Sequence, residues 1–385
     1  MTIAASRPVT AVRHTAAVPS APVRELDGVT RTAVVGPLAL EAGGKLPEVT
    51  LAYETWGTLD ADGGNAVLIQ HALTGSAHAA RGDSDEDGWW DGLIGPGRTI
   101  DTDRFFVVSI NIVGGCNGST GPASPAPDGR PWGSRFPFIT LRDAAAAEAR
   151  LADRLGIRQW FAVVGGSMGG ARALEWAATF PERVRKCAVI AVGAHSTAEQ
   201  IALAQAQTLA IRQDPDFRDG DYYDGAAPES GLALARRIAH ISYRSEAELE
   251  ARFSRKAQDG EQPLNAASLA ERGRYQVESY LDHQGAKLVR RFDANSYIAL
   301  TEALMSHDVG RGRGGVEAAL ADSPVEFFIA AVETDRLYLP VQSAVLAAAL
   351  PGEVPVHHIA SAIGHDGFLT EAEQLGALLK RTLFS

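Results

Sequence analysis

Cysteine is almost missing from this chain: its 385 residues hold two, Cys116 and Cys187. Two cysteines cannot form a disulfide framework, and so low a count fits a reducing compartment, which makes the cytoplasm the expected location. No hydrophobic run approaches the roughly 18 residues that a membrane-spanning helix requires. Positive charge is also in short supply, with 36 lysines and arginines against 47 aspartates and glutamates and a formal net charge of −11. That balance argues against nucleic acid or an anionic membrane as partner, while leaving room for local basic patches that bind a small phosphorylated ligand. Cysteine and histidine nowhere adopt metal-ligand spacing, so no metal is expected. The opening residues 1–24 are rich in Pro, Ala and Ser and lack an apolar segment. They read as a flexible tail rather than a signal peptide.

What is present has a rhythm. "TRTAVVGPLAL" and "EVTLAYETWG" read as extended segments, and "NAVLIQHAL" and "RFFVVSINIVG" as strands buried on both faces. A helical pattern over residues 140–157 ends near Gly156; a strand, "QWFAVVGG", a helix halted before Pro181, and a further strand, "KCAVIAV", follow. This alternation predicts an α/β fold, a mostly parallel sheet with helices on its faces. Residues 195–309 break the rhythm with helical patches such as "GLALARRIAHISY" and "SYIALTEALM". Alternation then resumes in "VEFFIAAV", a helix over 341–350, "VPVHHIA" and a closing helix from about Gly367. The expected organisation is a core of residues 25–194 and 310–385, with 195–309 inserted as a helical lid over the ligand end of the sheet.

Within "VVGGSMGGARALEWA", Ser167 stands in a G-x-S-x-G pattern between a strand and a helix. Glycines two residues either side let neighbouring chain pass close, and the sharp turn lifts the serine hydroxyl above the sheet at a helix N-terminus. Such a nucleophile needs a base, and the base an orienting acid, in the chain order serine, acid, histidine. His365 in "ASAIGHDGFL" follows the last strand pattern, and Asp335 in "FFIAAVETDRLY" follows the strand before it. Glu333 is the alternative acid. His357 and His358 sit within a strand pattern and read as packed or surface residues, while His307 and Asp308 are too close in sequence to relay to each other. Developing negative charge on a substrate oxygen would meet the backbone N–H of Met168 and a second N–H from the loop after "NAVLIQ", where Leu73 is the candidate.

Three other patterns carry less. "DSDEDG" at 83–88 begins like a calcium loop, but its twelfth position is Ile94 rather than a bidentate Glu. "GRGRGG" at 310–315 matches G-x-G-x-x-G without a preceding strand, which removes its dinucleotide reading. Arg311 and Arg313 lack the interleaved aromatics of an RNA-binding segment.

Taken together, "HALTGSAH", "GWWDGLIGPG", "NIVGGCNGSTGPASP", "PWGSRFPFITLRD", "GGSMGGARALEWA", "GLALARRIAHISYR", "TDRLYLP" and "GHDGFL" resemble the homoserine O-acetyltransferases. "SYLDHQGAKLVRRFDANSYIALTEALMSHDVGRGRGG" belongs with them, so the likeness runs from about residue 50 to the C-terminus. This family is the acyltransferase branch of the α/β-hydrolase superfamily used in methionine biosynthesis. The resemblance implies Ser167 as nucleophile, Asp335 as acid and His365 as base. It further implies that Asp366 meets the amino group of homoserine and that Arg236 and Tyr243 line the acceptor pocket. It implies acetyl-CoA as co-substrate, no bound cofactor, and a homodimer built through the lid helices. On the residues alone Arg236 and Arg237 are indistinguishable. Succinyl-CoA as donor, serine as acceptor, and water as acceptor in an esterase or thioesterase remain open alternatives.

Overall fold

Side-chain alternation along the strands accounts for the architecture of the computed structural model, which describes residues 26–264 and 268–384. The tail at 1–24 lies outside the described residues. Strands β1 (Arg31–Ala39), β2 (Lys45–Trp56), β3 (Ala66–Gln70) and β4 (Phe106–Ile110) precede β5 (Ala162–Gly166), β6 (Lys186–Ile190), β7 (Glu326–Val332) and β8 (Val356–Ile359). They form one sheet in the order β1-β2-β4-β3-β5-β6-β7-β8. β2 pairs antiparallel with both β1 and β4; β4, β3 and β5 to β8 are mutually parallel.

Successive residues serve opposite faces of this sheet. Leu68, Val108, Val163, Val189 and Ile329 join one apolar cluster, and Val67, Val107, Val164, Ala188 and Phe328 join the other. Helices α1 (Leu141–Arg154) and α2 (Met168–Thr179) cover the first face. The start of α1 is set by Thr140, whose hydroxyl accepts from the Asp143 N–H while the Asp143 carboxylate accepts from the Thr140 N–H. Leu375 and Leu379, on the last helix, pack against the second face. Strands buried on both sides explain the near-continuous apolar runs.

Between β6 and β7 the chain inserts α3 (Ala198–Arg212), α4 (Glu229–Tyr243), α5 (Glu246–Arg252), α6 (Gln276–Val289), α7 (Ala294–Met305) and α8 (Val316–Leu320). The "GRGRGG" turn at 310–315 joins α7 to α8, and its arginines serve packing: Arg311 pairs with Glu41 at 2.8 Å and Arg313 with Glu175 at 2.9 Å. After β7 come α9 (Pro340–Ala348), α10 (Gly367–Thr370) and α11 (Ala372–Thr382). The closing helix is thus two helices broken at Glu371, whose φ/ψ of −93°/48° is not helical. No described helix is long and apolar enough to cross a membrane. Because β5, β7 and β8 are parallel, the loops that leave them emerge at one edge of the sheet, where ligands of open α/β sheets bind.

Candidate active site

The turn from β5 to α2 forces Ser167 into φ 57°, ψ −129°, a conformation non-glycine residues rarely adopt. Close passage of the backbone permits nothing larger than glycine on either side. A Cβ on Gly165 would lie 2.2 Å from the Gly169 carbonyl oxygen, and one on Gly169 would lie 2.0 Å from the Gln70 carbonyl oxygen. The Ser167 N–H is anchored to the Ile190 carbonyl of β6 at 2.9 Å. Strain at the serine is therefore held by the sheet on both flanks.

His365 and Asp335 reach this serine from separate loops. The Ser167 hydroxyl donates to His365 Nε2 at 2.8 Å, and His365 Nδ1 donates to Asp335 Oδ2 at 2.6 Å. A carboxylate only accepts, so Nδ1 carries the proton and Nε2 keeps a lone pair facing the serine. The other Asp335 oxygen accepts from the Leu337 and Tyr338 N–H groups at 2.8 and 2.9 Å, which fixes the carboxylate plane. All three side chains are buried. Burial alone would depress the imidazole pKa, but the Asp335 charge and hydrogen bond, with Asp366 beside it, more than offset this and raise it above the ordinary value. Glu333, the alternative acid, makes no such contact; its N–H donates to the Ile359 carbonyl. His307 is buried elsewhere, with Nε2 3.3 Å from the Gly193 carbonyl, and His357 stacks on Phe328 at 4.6 Å.

The strand-exit loop that carries Leu73 is braced from beneath. His71 Nε2 accepts from the Ile112 N–H at 3.1 Å, and its Nδ1 donates to the Ala72 carbonyl at 2.8 Å. Burial, then the nearby Arg172 charge, push its pKa down to about 3, so this ring stays neutral. Below it Arg172 pairs with Glu148, whose second oxygen accepts from Gln70 and from Trp176, each at 2.7 Å. The Leu73 N–H follows β3 and the Met168 N–H opens α2; neither donates to another group among the described residues. Ser167 and Leu73 line a cavity whose walls include Gln200, Tyr243, Leu304 and Tyr338. The rings of Tyr338, Phe368 and Tyr243 lie 5.3, 5.5 and 5.8 Å from the His365 ring and restrict its motion.

The structure separates the two arginines that looked alike. Arg237 pairs with Asp282, whereas Arg236 lies over the Tyr243 ring at 5.6 Å and reaches Thr74 Oγ1 at 3.4 Å. Asp366 flanks His365, and its Oδ2 meets Arg244 Nη2 at 3.3 Å. Arg244 carries no sequence signal, because an arginine at a helix end usually faces solvent. The next residue escapes notice for the same reason. Ser245 starts α5 by accepting from the Glu248 N–H, while its N–H donates to the Ile363 carbonyl at 3.0 Å and its hydroxyl donates to the Ala362 carbonyl. The α4–α5 junction is thereby tied to the loop that carries His365. No group of three or more His, Cys, Asp or Glu able to hold a metal occurs among the described residues.

Residues 65–372 match the family model described as alpha/beta hydrolase fold. A homoserine O-acetyltransferase of Thermobifida fusca is 55% identical over 352 residues, which cover 90% of this chain and 91% of that one. The crystal structure of homoserine O-acetyltransferase from Bacillus anthracis superposes with a TM-score of 0.84 at 27% identity, covering 93% of this chain and 98% of that one. Esterase E22 superposes equally well, with a TM-score of 0.84 at 26% identity over 92% of this chain and 99% of its own. The backbone is thus shared by transferases and esterases, and identity over nearly the full length distinguishes them. The chain belongs to the homoserine O-acetyltransferase family of the α/β-hydrolase fold.

Proposed function

We propose that this protein moves an acetyl group from acetyl-CoA to the hydroxyl of L-homoserine, in methionine biosynthesis, through an acetyl-serine intermediate. The unbroken hydrogen-bonded line from Ser167 through His365 to Asp335 carries this reading. Ser167 Oγ attacks the thioester carbonyl as its proton passes to His365 Nε2, and the Leu73 and Met168 N–H groups hold the resulting oxyanion. The C–S bond then breaks, and coenzyme A leaves as thiol with the proton from His365. In the second half-reaction His365 takes the proton from the homoserine hydroxyl, whose oxygen attacks the acetyl carbonyl. The bond between the acetyl carbon and Ser167 Oγ breaks, and the proton passes from His365 to Oγ. Helices α3 to α7 act as the lid that keeps water from the acetyl-serine. The residues alone do not separate acetyl-CoA from succinyl-CoA or homoserine from serine. The relative at 55% identity favours the first of each pair. The esterase reading rests on neighbours of half that identity. Steady-state assay of purified protein with each donor and acceptor tests the choice.

Acceptor recognition falls to Asp366, Arg236 and Tyr243. An amino acid offers an ammonium and a carboxylate, which call for one acid and one base in the same pocket. Asp366 is held by Arg244 before the ammonium arrives, so the acceptor joins an existing ion pair instead of meeting a bare carboxylate. Replacing Asp366 by Asn removes the charge and keeps the shape. Loss of a charge-assisted bond costs about 1.5–3 kcal/mol, so kcat/KM for homoserine is expected to fall about ten- to a hundredfold. Acetylation of Ser167 by acetyl-CoA should be nearly unchanged, as rapid-quench intact-mass measurement would show. Equal slowing of both half-reactions would instead make Asp366 a support for His365.

A homodimer through α3 and α4 is supported by what these packed helices leave uncovered. Ile201 and Leu209 on α3, and Leu234 and Ile241 on α4, are each 40–49% exposed. Leu234 and Ile241 are seven apart and share one helical stripe. Leu234→Glu should cost the single subunit little, since the side chain is half in solvent, yet shift sedimentation velocity from dimer to monomer. An unchanged sedimentation coefficient across the concentration range would remove this face as the interface. Such a biosynthetic enzyme would work in the cytoplasm.

A further inference from the structure

Several charges around the insertion are matched: Arg237 meets Asp282, Arg244 meets Asp366 and Glu248, and Arg252 also meets Glu248. Arg236 and Arg291 meet no carboxylate among the described residues, yet they converge on a single residue. Arg291, in the turn after α6, donates from Nη1 to the Thr74 carbonyl at 2.7 Å, and Arg236 Nη1 lies 3.4 Å from Thr74 Oγ1. Asp293, two residues along the chain, is already committed to the Tyr222 and Tyr223 hydroxyls at 2.5 and 3.1 Å and to the Ser296 N–H at 2.8 Å. Two guanidinium groups placed side by side without a counter-ion repel each other. An anion delivered by a ligand would relieve both.

Position says where that anion comes from. Thr74 adjoins Leu73, which lines the Ser167 cavity, and Arg236 lies over Tyr243 in the wall of the same cavity. Arg291 is the exposed member of the pair and Arg236 the half-buried one, so Arg291 is the one open to a ligand's charged end. An acceptor carboxylate carries one charge, which one guanidinium satisfies. The phosphates of a coenzyme A thioester carry several and lie at the end of a long neutral arm. We propose that Arg291, held on the Thr74 carbonyl beside Leu73, binds a phosphate of the acyl-CoA donor, while Arg236 is left to the acceptor carboxylate. This rests on the donor being acetyl-CoA.

Arg291→Gln and Arg291→Lys, made in the full chain, test it with two acyl donors. Arg291→Gln is expected to raise KM for acetyl-CoA about tenfold, with kcat and the KM for homoserine little changed, and Arg291→Lys to recover part of the loss. Acylation by p-nitrophenyl acetate, which has no phosphate, should not follow the acetyl-CoA defect. Titration calorimetry of desulfo-CoA into the Ser167→Ala protein should weaken in the same proportion and lose part of its salt dependence. An unchanged KM for acetyl-CoA overturns the proposal. So does a parallel fall with p-nitrophenyl acetate, which would mean that Arg291 only braces the Leu73 loop through Thr74. A rise in the homoserine KM alone would move the anion to the acceptor carboxylate and overturn the phosphate assignment. If the parent enzyme accepts acetyl from p-nitrophenyl acetate but not from acetyl-CoA, the donor reading itself fails.

Discussion

Ser167→Ala protein is expected to fold as the parent does and to lose acetyl transfer on the order of 10⁶-fold. Among the described residues the Ser167 hydroxyl makes one hydrogen bond, to His365, and its removal leaves the backbone anchor to Ile190 in place. Alanine meets the same strain at φ 57° that serine already bears. Thermal unfolding should therefore change little, while the intact mass after acetyl-CoA alone should show no added acetyl group. Parent protein under the same conditions should gain one acetyl group at short times. A parent that never gains it, with transfer proceeding normally, would replace the covalent route with direct attack.

Asp335→Asn is the second large effect, and it acts through the proton rather than the nucleophile. Asp335 Oδ1 accepts from two backbone N–H groups, so an asparagine would keep its carbonyl there and turn its NH₂ toward His365 Nδ1. Nδ1 must then accept, Nε2 must carry the hydrogen, and the serine finds no base. A fall of about 10⁴-fold in kcat follows from the wrong tautomer. The pH profile supplies a second readout. Only neutral His365 can take the Ser167 proton, and its pKa lies above the ordinary 6.5. Activity is therefore present above that raised pKa and lost as pH falls through it. Without the Asp335 charge the burial effect dominates, and the acid limb of kcat/KM for acetyl-CoA should move to lower pH. A limb that stays in place would assign the titration to another group.

How much of this could be read before the structure depends on the kind of signal. Strands β3 to β6 were legible because burial on both faces demands uninterrupted apolar residues, and the turn at Ser167 because close backbone contacts at Gly165 and Gly169 admit no other residue type. His365 and Asp335 followed from their places after β8 and β7, since parallel strands deliver such loops to one edge. Helix α11 was legible but its break from α10 was not, as nothing in "GFLTEAEQL" marks Glu371 as non-helical. Arg244, Ser245 and Arg291 stayed hidden for a different reason. Each matters through a partner far away in the chain (Asp366, Ile363 and Thr74), and a polar residue at a helix end looks the same whether its partner is water or a distant loop. His71 was hidden by its company: in "HALTGSAH" it reads as one of several polar loop residues, and only burial reveals it as a neutral brace.

The most direct test of acetyl transfer to homoserine is single-turnover chase of the acetyl-serine. Purified protein is acetylated with a stoichiometric amount of acetyl-CoA, then mixed with homoserine, serine or buffer, and the decay of the acetylated mass is followed by rapid quench. Homoserine should discharge the intermediate far faster than serine or buffer, with O-acetylhomoserine as the product, and succinyl-CoA should load the protein poorly. Discharge into buffer as fast as into homoserine would make the protein an esterase and contradict the assignment of α3 to α7 as a water-excluding lid.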